Sequence, residues 1–184
     1  MLKSARDERD AAHWDEVEEA TELLAEGKVA HALLALRKVI LASPDNAYAY
    51  HYLGVGLFES NELEPARDAY RAAITLAPGY LAARTGLAHV LRMLGDTRGS
   101  LREANEALRR FPDDAEARYA AGLAQAALGH RTQAKRELEA FLARGPELEA
   151  SLEVRQILEM LGLGEEGEPF ALDEARPERD PSAS

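Results

Sequence analysis

Four prolines in this chain, Pro44, Pro78, Pro112 and Pro146, stand 34 residues apart. Gly27, Asn61, Gly95 and Gly129 run in phase with them, and so do Ala32, Ala66, Ser100 and Ala134. A fixed period of this length means stacked copies of one structural unit. Each copy buries its apolar face on the next, so the stack presents an extended surface to a partner. Four units of 34 take 136 of the 184 residues and leave about a quarter as flanks.

Residues 47–80 show what one unit is made of. Tyr50, Leu53, Gly54 and Leu57 recur at helical spacing until Asn61 breaks the pattern. Ala66, Tyr70, Ala73, Ile74 and Ala77 then form a second helical stripe, and Pro78 closes the unit. This spacing predicts a helix, a tight turn and a second helix, each amphipathic. Gly54, Ala66 and Ala73 are small, which lets the two helices approach closely. Asn61 takes the place that glycine holds in the other copies, and both residues tolerate the left-handed backbone that ends a helix. Pro78 is expected in the first turn of the following helix, where a missing N–H costs little, and Pro65 near another helix start.

This pattern resembles the tetratricopeptide repeat, a 34-residue helix–turn–helix. The family's eight characteristic places fall on Tyr50, Leu53, Gly54, Leu57, Ala66, Tyr70, Ala73 and Pro78. The third and fourth copies depart at the first place, where Arg84 and Arg118 replace an aromatic, and the fourth also departs at Gln125. The resemblance implies an all-α fold, a right-handed α-solenoid of four units at 13–46, 47–80, 81–114 and 115–148. Residues 1–12 are an N-terminal extension that lengthens the first helix, with Ser4 as its start signal before Asp7 and Glu8. A capping helix is expected over 147–163, with Leu148, Leu152, Ile157, Leu158 and Leu161 on its apolar face and Gly162 and Gly164 stopping it. Residues 164–184 carry seven acids, two arginines and three prolines, a composition that argues for disorder.

The first copy disobeys the pattern. Glu16 and Glu19 stand where the family buries apolar side chains, and the apolar stripe runs through Trp14, Val17, Thr21 and Leu24 instead. Terminal repeats are often atypical because one side faces water. Two orientations follow: a rotated helix with Trp14 packed on its own partner helix, or a family-like rotation that puts Trp14 in the groove.

In the family, the first helix of each unit lines a concave groove that takes peptides or partner segments. The register then assigns the groove-facing residues as Tyr48, His51, Val55 and Phe58 in copy two, Thr85, His89 and Arg92 in copy three, and Tyr119 and Leu123 in copy four. Aromatics and arginine dominate binding hot spots. An apolar groove suits an amphipathic helix or an extended apolar segment. The leading reading is a non-enzymatic adaptor or scaffold that binds a protein or peptide partner. A dedicated chaperone or assembly factor for one client is the second reading. A self-associating module is the third, with Phe170, Ala171 and Leu172 of the tail as its apolar ligand.

Other classes are excluded on chemistry. The net charge of −11 repels a phosphate backbone, so nucleic acid is not an expected partner. Without cysteine there is no disulfide, thiolate zinc site or thiol catalysis. No apolar run reaches the ~20 residues that span a bilayer, and no apolar stretch follows the basic residues of the N-terminus, so a cytoplasmic protein without membrane insertion is expected. His51 and His89 lack the further ligands of a metal site, and no cofactor is expected. The string Gly162-Leu163-Gly164-Glu165-Glu166-Gly167 matches a dinucleotide fingerprint but follows a helix instead of a strand. The lysines and asparagines with which some family members clamp chaperone tails are replaced here by His51, Val55, Thr85 and His89.

Overall fold

The computed structural model describes residues 5–163, and all its regular elements are helices. Ser4 and the acidic tail, including Phe170 to Leu172, lie outside the described residues. The described chain forms two compact units that part between Gly95 and Asp96, inside the third 34-residue copy.

The first unit holds α1 (Ala5–Asp15), α2 (Glu18–Ala25), α3 (Val29–Ala42), α4 (Ala47–Glu59), α5 (Leu63–Leu76) and α6 (Leu81–Met93). Two apolar clusters hold it together. Val17, Ala20, Leu36 and Ala49 form one. Leu57, Ala66, Tyr70, Ala73, Leu87 and Val90 form the other. The turns between paired helices close as the glycine series requires. Asn61 has φ 59°, while Gly27 and Gly95 have φ 73° and 83°. Around Asn61 the Glu62 N–H donates to the Leu57 carbonyl at 2.8 Å and the Asn61 N–H to Phe58 at 2.9 Å. That is a Schellman closure, which satisfies the last carbonyls of α4.

The proline series has a different role from the one expected. Pro44 and Pro78 lie in the loops that follow α3 and α5, not in the first turn of α4 or α6. Each occupies the second place of a tight turn. The Asn46 N–H returns to the Ser43 carbonyl at 3.1 Å, and the Tyr80 N–H to Ala77 at 2.9 Å. Proline's fixed φ suits that place, and its missing N–H is not needed there.

The first copy is atypical because its leading helix is broken. α1 and α2 are separated at Glu16 and Val17. Val17 is buried in the core, while the Glu16 carboxylate accepts from Ser43 Oγ and from Asn46 Nδ2, both at 2.9 Å. Fully buried Asn46 also donates to the His13 carbonyl at 2.8 Å and caps α4 by accepting from the Ala49 N–H at 3.1 Å. Glu16 thus lies exposed at the break, where its carboxylate supplies an acceptor for the buried Asn46 amide, and Val17 takes the buried place.

The second unit holds α7 (Thr97–Arg110), α8 (Ala115–Ala127), α9 (Arg131–Leu142) and α10 (Leu148–Leu163). Its core joins Leu123, Ala134, Leu138 and Phe141 to Val154, Ile157 and Leu161 of α10. Two expectations about α10 need correction. Leu148 and Leu152 are 75% and 53% exposed, because the buried face is phased on Val154, Ile157 and Leu161. Gly162 does not stop the helix, which continues to Leu163.

Candidate functional site

The first unit carries a connected sheet of aromatic rings. Trp14 at the end of α1 meets Tyr48 and Tyr52 of α4 edge to face, with centroids 5.5 and 6.0 Å apart. Tyr48 continues to Tyr80 at 5.4 Å. His51 sits behind them, 4.9 Å from Tyr52, 4.8 Å from Tyr80 and 5.8 Å from Tyr70. Tyr48 and Tyr52 are four residues apart on one helical face, and Tyr80 enters from the turn before α6. Trp14 remains 44% exposed. Its ring contacts with Tyr48 and Tyr52 are both with α4.

Beside the rings opens a cleft of about 700 Å³, lined by Tyr48, Tyr80, Leu76, Pro78, Asp10 and Asp45 among others. The Tyr48 hydroxyl donates to Asp10 Oδ1 at 3.1 Å. Partial burial, and then the bond and charge of Asp10, raise the Tyr48 phenol above its ordinary value. Asp45 lies 3.8 Å from His13 Nε2. Burial lowers the His51 pKa to about 4, so the imidazole is neutral near pH 7. Its Nδ1 is buried without a hydrogen-bond partner.

The tetratricopeptide repeat family model matches residues 17–80 and 85–130, well over half of the chain. The chain belongs to the tetratricopeptide repeat family. Solved structures agree on the fold, a helical-repeat solenoid. MamA from residue 41 to its end, from Desulfovibrio magneticus RS-1, has a TM-score of 0.70 at 17% identity, over 84% of each chain. TTC0263 of Thermus thermophilus has a TM-score of 0.66 at 23% identity, covering 82% of this chain and 81% of its own. YrrB has a TM-score of 0.64 at 19% identity, covering 80% of this chain and 76% of its own. No curated protein matches the sequence.

Within this tetratricopeptide repeat protein, the residues assigned to the groove by spacing have different surroundings. Tyr48 is half-buried in the ring sheet. His51 is only 9% exposed and lies beneath the rings. Val55 and Phe58 are half-buried against the second apolar cluster of the first unit. Thr85 is buried, its hydroxyl donating to the Ala82 carbonyl at 3.1 Å. His89 is half-buried with its pKa lowered to about 4 by burial and, secondarily, by Arg92. Arg92 itself is half-buried. In the second unit, Tyr119 stacks on Phe141 at 5.0 Å and its hydroxyl donates to Glu153 at 3.2 Å. Leu123 is buried in the core that includes α10.

Spacing alone passed over Tyr52 and Tyr80. Tyr80 had a readable signal. It stands 34 residues after Asn46 and 34 before Asp114, which both cap helices through their side chains. An aromatic ring at a capping place gives up that hydrogen bond, and Tyr80 makes none. Among the described residues no group of three His, Asp or Glu side chains could hold a metal ion. None of the described helices is long and apolar enough to cross a membrane.

Proposed function

We propose that the protein is a non-enzymatic interaction module, and that a segment of a partner protein docks on the aromatic face of its first unit. The tetratricopeptide fold generally serves as an interaction scaffold, and YrrB, which shares the fold, is described as having an unusual peptide-binding site. The observation that carries the reading is the ring sheet of Trp14, Tyr48, Tyr52 and Tyr80, with Trp14 44% exposed at its edge. Large aromatic side chains left partly open to solvent on a rigid helical frame are the ordinary anchors of protein recognition. The second unit's aromatic pair is less available, since Phe141 is buried and Tyr119 stacks on it.

The test is a Trp14→Ala, Tyr52→Ala double variant. Partners are first recovered with the tagged wild-type chain, and affinity for each purified partner is then measured. A folded double variant should bind at least tenfold more weakly, roughly the loss of one hot-spot aromatic. Unchanged affinity for every partner would remove the aromatic face from the mechanism.

A further inference from the structure

We propose that the cleft of the first unit selects a cationic side chain, lysine or arginine, presented by the docking segment. This rests on the reading above, that a partner segment docks on this face, and adds the chemistry that the segment must present.

The ring wall is the first support. Tyr48 and Tyr80 both line the cleft and meet at 5.4 Å, and Trp14, outside the lining, meets Tyr48 at 5.5 Å. Aromatic faces attract cations through their quadrupole. The methylene stem of a lysine or arginine is matched by Leu76, Pro78 and Leu81 on the same lining. The cleft's carboxylates are the second. Asp10 and Asp45 stand in it, and Asp10 takes the hydrogen bond of the Tyr48 hydroxyl, which enriches that ring in electrons. Arg9 lines the same cleft and offsets one of these charges, Arg84 donates to the carbonyl of lining Pro78 at 3.1 Å, and His13 lies beside Asp45. The wider field is the third. Residues 5–26 hold nine acidic and two basic residues, a formal charge of −7. An anionic segment would be repelled by that field. A purely apolar one would cover Asp10 and Asp45 without supplying a countercharge, which is costly. A cation in the cleft supplies that countercharge and meets the aromatic wall.

Three short peptides on one Gly/Ser frame, bearing two lysines, two leucines or two glutamates, test this against the full chain. Calorimetry gives the affinity, and emission of Trp14, the single tryptophan, reports where binding occurs. The lysine peptide should bind about tenfold more tightly than either of the others and shift Trp14 emission. Asp10→Asn with Asp45→Asn should cost about tenfold for the lysine peptide. Glu18→Gln with Glu22→Gln removes as much charge from α2, outside the cleft lining, and should cost less than about threefold. Equal losses in the two double variants would mean diffuse attraction and overturn the site. Tyr80→Leu, which keeps apolar area and removes a π face, should weaken the lysine peptide by a larger factor than the leucine peptide; equal effects overturn the cation. A leucine peptide that binds as tightly as the lysine peptide and shifts Trp14 overturns the cation while the docking face stands. No binding by any of the three overturns both.

Discussion

Tyr70 is the side chain on which the packing of the first unit can be tested most sharply. It rises from α5, 4% exposed, and two glycines from two other helices crowd its ring. A Cβ built at Gly54 on α4 would lie 2.8 Å from both Tyr70 Cδ1 and Cε1. A Cβ at Gly86 on α6 would lie 2.6 Å from Cζ and 2.7 Å from Cε1. Carbon atoms in contact sit ~3.5–4.0 Å apart, so each alanine demands a retreat of about 1 Å from the same ring. Overpacking of this kind costs about 1–3 kcal/mol. Replacing a helical glycine by alanine returns about 1 kcal/mol of backbone entropy. Each single alanine should therefore be net destabilising by up to about 2 kcal/mol. Because both crowd one ring, the pair should be non-additive by ~0.5 kcal/mol or more. Tyr70→Leu removes the obstacle, so in that background the sign should reverse, with each alanine stabilising by about the propensity gain. Urea unfolding followed by Trp14 emission gives the midpoints and slopes for all the combinations. Strict additivity in the wild-type background, or alanine costs that persist with Leu at position 70, would refute the shared-ring account.

His51 predicts a pH dependence. Its folded pKa of about 4 lies below the unfolded value near 6.5, so the unfolded chain binds more protons in between and stability falls as pH drops from 6.5 towards 4. The full shift corresponds to about 3 kcal/mol. His51→Phe should flatten the stability profile over that window by a good part of this amount, and parallel profiles would show that His51 is not the titrating group. Asn61, at φ 59°, pays a left-handed penalty that glycine would not. Asn61→Gly should hold or raise the melting temperature, whereas Asn61→Ala should lose about 1 kcal/mol; a stabilising alanine would contradict the turn geometry. Asn46→Ala removes a helix cap and the amide bonds to His13 and Glu16, and should cost about 2–3 kcal/mol by denaturant titration. A loss no larger than that of Glu16→Gln would mean that the amide is not the centre of this network.

The periodicity makes most of the fold legible in the chain itself. A 34-residue repeat of small residues, turn formers and prolines reports local requirements, and local requirements can be read along a chain. Helix pairing, the left-handed turns at Gly27, Asn61, Gly95 and Gly129, and the close approach at Gly54 belong to this class. The candidate site was legible only in part. Spacing assigns Tyr48 to the groove and leaves Trp14 between groove and core, and it gives Tyr52 and Tyr80 no role. Spacing puts His51 on the same face as Tyr48, yet His51 is buried against Tyr52 and Tyr80.

What the sequence determined by itself was the register: which positions repeat, and hence which residues form helices and turns. What only the tertiary structure decided was where that register yields to a contact between distant residues. The helix breaks at Glu16, whose exposed carboxylate accepts from the buried amide of Asn46, 30 residues away. Tyr80 stands at a capping place without the capping hydrogen bond and joins a ring sheet begun by Trp14 on another helix. Leu148 and Leu152 face outward because the core phases α10 on Val154, Ile157 and Leu161. A period describes one unit's interactions with itself and its like neighbours. A buried polar group or a shared aromatic ring is satisfied by whichever side chain the fold brings near, and that partner carries no mark in the spacing.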